Sequence, residues 1–157
     1  MERLEYLFQE WHRLGGAVLL ARIEPAIHAR APEIVIAEST AHCRESGRLT
    51  WVVLDWLVRE IDRINPEKLL AATRAQGDSA VLGVLCDAAR QRRAHPFFDQ
   101  LIAACAPRAH IEPFFDRVAR SPLALQETRA QPNPIFLRWN FLSNELRYLT
   151  AQVTEMN

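Results

Sequence analysis

Lysine is almost missing from this chain. Of its 19 basic residues only Lys68 is lysine and the others are arginine. Such usage fits the codon bias of a GC-rich, bacterial genome and carries no functional weight, although arginine does suit bidentate phosphate contacts. Cysteine is sparse too: Cys43, Cys86 and Cys105 are isolated, odd in number and without CxxC spacing. That argues against a disulfide framework or a zinc cage and for a reducing compartment. Net charge is absent, with 19 acids against 19 bases, so no overall field draws the chain to nucleic acid, a membrane surface or an acidic partner. No apolar run approaches the roughly 18–20 residues of a membrane span, and no basic stretch leads into an apolar one at the N-terminus. A cytoplasmic protein is expected, without a membrane partner. Neither Gly-x-Ser-x-Gly nor Gly-x-x-x-x-Gly-Lys-Ser/Thr occurs, and the doublet Gly15-Gly16 alone cannot cradle a phosphate.

What the chain does have is helical periodicity. Residues 47–64, GRLTWVVLDWLVREIDRI, carry apolar side chains around nearly the whole circumference, with Asp55, Arg59 and Asp62 confined to one strip. Leaving such a helix in water would forfeit roughly 1.5–3 kcal/mol for each large apolar side chain, so it must be surrounded by other elements. Upstream, Leu4, Leu7, Phe8, Trp11 and Leu14 form one face of an amphipathic helix stopped by Gly15-Gly16. Residues 17–30 predict a second helical segment in which Pro25 either kinks the helix or starts a new one. Residues 33–46 predict a third, with Gly47 as its C-terminal cap, although the β-branched start leaves a short strand open.

Beyond the central helix, a polar residue followed by proline opens one helix after another. Asn65-Pro66, Ser121-Pro122 and Asn133-Pro134 are the clearest, with His95-Pro96 and Glu112-Pro113 as weaker versions, and Gly77-Asp78 separates two further segments. No alternating run bounded by turn signals appears, so no sheet is expected. The predicted fold is all-α: one domain over residues 1–157, a compact bundle of about seven to nine short helices around the buried helix 47–64. Pro-Phe-Phe-Asp recurs at 96–99 and 113–116. Its 17-residue spacing is about half a tetratricopeptide, HEAT or armadillo unit, so a divergent helical repeat is a secondary reading.

Four constellations merit weighing as sites. Glu38, His42 and Glu45 fall within about 60° on one helical face, and Glu24 with His28 lies upstream. Their order matches neither the Glu-x-x-His of di-iron bundles nor the His-Glu-x-x-His of zinc peptidases, and a solvated face explains them more simply. Asp55 is a candidate general acid or base, but its i, i+4 spacing to Arg59 favours an ion pair. Arg90, Arg92 and Arg93 close one helix and Arg108, Arg117 and Arg120 follow, against only Asp99, Glu112 and Asp116. The helix dipole accounts for the triplet, while the whole set offers a basic surface for phosphate. Finally, residues 134–154 read as one helix with two apolar faces: Ile135, Trp139, Leu142, Leu146 and Leu149 on one, Leu137, Phe141 and Tyr148 on the other. A terminal helix cannot bury both faces on one neighbour, so the second marks either a middle layer or a contact with another protein or a second copy of the chain.

These features lead to an expected function as a non-catalytic interaction, adaptor or regulatory subunit, antitoxin-like in kind, without cofactor, binding through Leu137, Phe141 and Tyr148. The alternative is a nucleic-acid-binding helical domain using Arg90, Arg92, Arg93, Arg117 and Arg120. A metal-dependent helical enzyme built on Glu38, His42 and Glu45 comes third.

Overall fold

A computed structural model describes residues 1–144. Its elements in order are α1 (Arg3–Arg13), α2 (Pro32–Thr40), a 3-10 turn (Cys43–Glu45), α3 (Gly47–Glu60), a second 3-10 turn (Ile61–Arg63), α4 (Pro66–Gln76), α5 (Ser79–Arg92) and α6 (Pro96–Ala104), followed by β1 (Glu112–Pro113), α7 (Asp116–Ala119), α8 (Pro122–Ala130), α9 (Pro134–Arg138) and β2 (Phe141–Leu142). The fold is all-α, and among the described residues the sheet is one two-residue parallel pairing, β1 with β2.

The expected central helix is present. Ser46 caps α3 by accepting the Leu49 N–H at 3.1 Å, and Leu49, Val52, Val53, Leu54, Trp56 and Leu57 are buried along it. Trp56 meets Trp11 of α1 edge to face, ring centroids 5.7 Å apart, and donates its indole N–H to the Leu14 carbonyl at 3.0 Å. The apolar body of each ring is thus buried while its polar edge keeps a partner. α3 shares the centre with α5, in which every residue from Ala80 to Ala89 is buried. α2 lies against α4 so closely that a Cβ at Gly77 would stand 2.5 Å from the Ala37 carbonyl oxygen. Helix starts follow the polar-residue-plus-proline rule: Asn65, Ser121, Asn133 and His95 each accept a backbone N–H of the first turn, and Asp78 does so for α5.

Four expectations need correction. Residues 17–30 contain no helix. Gly15, at φ +84°, turns the chain out of α1, and the segment from 14 to 31 then crosses the molecule as an irregular strap, with Val18 and Ile27 as isolated buried anchors. The helix expected over 33–46 ends at Thr40, whose hydroxyl turns back to the Ala37 carbonyl at 2.6 Å and accepts the Asp78 N–H at 2.8 Å. Gly47 therefore begins α3 and does not cap α2. Glu112-Pro113 starts no helix: the Glu112 and Phe114 N–H groups donate to the Asn140 and Leu142 carbonyls at 3.1 and 2.9 Å. Its echo at Pro96 does open α6, so the two Pro-Phe-Phe-Asp stretches have different structures. The last helix stops at Arg138, because Asn140 takes the left-handed conformation at φ 62° and sends the chain into β2. Among the described residues no helix is long and apolar enough to cross a membrane.

Candidate functional site

The early end of α2 takes the metal constellation apart. Glu38 accepts hydrogen bonds from both Arg3 nitrogens facing it and a 2.9 Å contact from Arg30, whereas His42, beyond the helix, pairs with Glu45 at 2.6 Å. Glu38 belongs to a charge network that also contains Glu10, which is fully buried and accepts from the Arg30 backbone N–H at 3.1 Å and its guanidinium at 2.8 and 2.6 Å. The hydrogen bond from Arg3, and against the opposing effect of burial the one from Arg30, hold the Glu38 carboxyl below its ordinary range. Among the described residues no group of three or more His, Cys, Asp or Glu is placed to hold a metal ion. The cysteines are poor nucleophiles, since burial pushes the Cys43 thiol up to about 12 and raises Cys86 and Cys105 as well. Asp55 accepts from Arg59 at 2.9 Å, the expected i, i+4 pair.

The arginines fall into separate settings. Arg90 reaches Asp99 at 2.9 Å and Asp87 at 3.3 Å, and Arg93 donates to the Val58 and Arg59 carbonyls at 3.0 Å. Arg92, beside them in α5, is half-buried. Arg117 lies over the Phe115 ring in α7, and Arg120 follows that helix, which packs on α8, β1 and the 43–45 turn.

The stripe expected on the last helix is not a stripe. Leu137 is 37 % exposed at the end of α9, but Phe141, past the Asn140 break, is 0 % exposed. Its ring meets Phe114 at 5.1 Å, with the Arg44 and Arg108 guanidinium carbons 5.3 and 5.5 Å from its centroid. Phe141 is a core residue because the left-handed turn swings it under β1. Tyr148 lies outside the described residues.

Among the described residues the most exposed large apolar side chain is on the strap, where Leu19 is 92 % and Ile23 44 % exposed; Met1 at 68 %, Leu123 at 66 % and Ile111 at 57 % are the others that stand well out. This exposure is held in place from beneath. Gln9, itself buried on α1, uses both ends of its amide: Nε2 donates to the Arg22 carbonyl at 2.8 Å and Oε1 accepts the Glu24 N–H at 3.0 Å. Arg13 donates to the Glu24 carbonyl at 3.1 Å and Arg48 to that of Leu19. With its backbone pinned at these points and Val18 turned inward, the strap turns Leu19 out. Beside it a groove of about 320 Å³ runs between the strap and α1, lined by Met1, Phe8, Leu20 and Ala21, with the Arg48 guanidinium 4.5 Å above the Phe8 ring. Glu5, Arg22, Glu24 and Arg48 set two acids and two bases around it. A helix was expected here because Val18, Leu19 and Leu20 follow one another with no polar break. Gly15-Gly16 and Pro25, ten residues apart, were the signals for a short extended crossing. Compared with protein-family models, with curated proteins and with solved structures, the chain matches none.

Proposed function

We propose that this chain is a non-catalytic interaction subunit that binds an apolar segment of a partner polypeptide on the strap and its groove. The observation that carries the reading is Leu19, 92 % exposed on a backbone pinned by a buried glutamine. An isolated exposed leucine is ordinary, but Leu19 and Ile23 stand out from the same strap whose Leu20 and Ala21, with Met1 and Phe8, line the groove, and exposed apolar side chains beside such a groove are what soluble proteins keep for contacts. A pre-pinned strap loses little conformational entropy on binding, which favours affinity. The balanced rim suits a polypeptide with an apolar core better than the uniformly anionic backbone of a nucleic acid.

The test compares native-state mass spectra of the wild-type chain, purified gently from its own host, with those of Leu19→Glu/Ile23→Glu. The wild type should carry a stoichiometric second polypeptide, with amides 17–24 protected from hydrogen exchange in the complex. The variant should lose it, with an unchanged melting temperature because neither side chain is buried. A complex that survives the double substitution, or that leaves 17–24 unprotected, rules this surface out. A homodimer lost in the variant would make the partner a second copy.

A further inference from the structure

A second cleft, which includes Arg90 of the arginine set, lies between the C-terminal half of α5, α6, the segment after α6 and the end of α9. It has a volume of about 290 Å³ and is lined by Asp87, Arg90, Ile102, Pro107, Arg138 and Trp139. At its base Asp87, whose side chain is only 3 % exposed, is saturated with donors. Arg138 grips it with Nε at 3.1 Å and Nη2 at 2.8 Å, Trp139 donates Nε1 at 3.0 Å, and Arg90 adds Nη2 at 3.3 Å. One buried negative charge thus gathers two guanidiniums on the same carboxylate oxygen, and the second positive charge is met by the exposed carboxylate of Asp99. Arg138 remains half exposed, and neither its Nη1 nor the Nε of Arg90 is used on Asp87. The other arm of Arg90 is held at 2.9 Å by Asp99, whose side chain is 64 % exposed and can be exchanged for another carboxylate at little cost. The rest of the lining, Ile102, Pro107 and the Trp139 indole, is apolar apart from the indole N–H held by Asp87.

We infer that this cleft binds a small organic monocarboxylate with a compact, planar or branched apolar body. The carboxylate takes the place of Asp99 on Arg90 and meets Arg138, and the apolar body lies against Ile102, Pro107 and Trp139. The volume, just under the usual range of roughly 300–1,000 Å³, suits one small molecule. Charge-assisted hydrogen bonds from a preformed arginine pair give the anion its preference over a neutral molecule of the same shape. The site is independent of the strap, so either proposal can fail alone.

The experiment follows the Trp139 indole N–H resonance, assigned by its loss in Trp139→Phe, while the full chain is titrated with benzoate and, separately, with benzyl alcohol. Benzoate should shift it saturably at millimolar concentration and benzyl alcohol should not. Asp99→Asn, which removes the competing carboxylate, should tighten benzoate about two- to five-fold, the equivalent of one surface ion pair. Ile102→Trp, which fills the cleft, should abolish the shift. A stronger response in a variant cannot come from misfolding, so Asp99→Asn stays informative if Ile102→Trp proves unstable. Equal responses to the acid and the alcohol, no saturable shift, or weaker binding by Asp99→Asn would each overturn the assignment.

Discussion

Gly83 lies in α5 where the Trp139 ring rests directly on the helix backbone, and a Cβ there would come within 2.3–2.7 Å of three ring carbons. Alanine is the better helix former by about 1 kcal/mol, so propensity alone makes Gly83→Ala stabilising. The ring cannot withdraw freely, because its indole N–H is committed to Asp87 at 3.0 Å. Overpacking of this kind costs about 1–3 kcal/mol. Gly83→Ala is therefore expected to be neutral to destabilising by up to about 2 kcal/mol in urea unfolding, with the Trp139 indole resonance displaced. A clear gain in stability would show that the ring does not occupy this position. Asp87 in the middle of Val-Leu-Gly-Val-Leu-Cys-Asp-Ala-Ala was visible in the sequence as a carboxylate in an apolar run, but its three donors come from positions 90, 138 and 139. No local spacing announces a partner 51 residues away.

The strap is an element without secondary structure, and its order rests on side chains reaching it from α1 and α3. Gln9→Leu keeps the volume roughly the same and removes both pins at once. The Arg22 carbonyl and Glu24 N–H can then turn to water, so the global loss should be only about 1–2 kcal/mol, two ordinary hydrogen bonds. The local effect should be larger: the Glu24 amide and its neighbours in 17–24 should exchange hydrogen much faster than in the wild type, while amides of α3 and α5 change only by the global amount. Unchanged exchange at Glu24 would mean that the strap is held by other contacts. Helices were legible where periodicity was strong, as in α1 and α3, and where a capping residue marked the start, as in α4 and α5. The strap and the turn at Asn140 were not. Val18, Leu19 and Leu20 satisfy a helical pattern as readily as an extended one with Val18 in and Leu19 out. Asn140 adopts φ 62° only because its amide donates to the Arg108 carbonyl at 2.6 Å and its own carbonyl accepts from Glu112.

For the molecule as a whole, two carboxyls with lowered pKa values tie separate parts together, Glu38 joining α1, the strap and α2, and Asp87 joining α5 to α9. Burial by itself would raise Asp87, but the hydrogen bonds from Arg138 and Trp139, with the charges of Arg138 and Arg90, leave it below the usual carboxylate range. A folded-state pKa below the unfolded one means that the unfolded chain binds more protons in acid. The stabilisation is thus fully present above the unfolded value near 4 and is lost as pH falls through the folded one. Stability should be level from about pH 7 to about pH 5 and fall steadily below about pH 4. The double variant Glu38→Gln/Asp87→Asn, less stable at neutral pH, should show a shallower decline. A wild-type urea midpoint that is flat or rising between about pH 4.5 and about pH 2.5 would contradict this. The all-α class, the enclosed helix expected over 47–64 and found at 47–60 with a 3-10 turn after it, and the helix starts marked by Asn65, Asp78, Ser121 and Asn133 were legible in the sequence alone, because periodicity, proline and capping act over a few residues. Where the exposed strap and the arginine cleft lie was decided only in three dimensions. Burial of Phe141, the pairing of Glu38 with Arg3 and Arg30, and the outward Leu19 each depend on groups in different elements, 8 to 35 residues apart in the chain. Such contacts are chosen by the packing of finished helices, which no short stretch of sequence encodes.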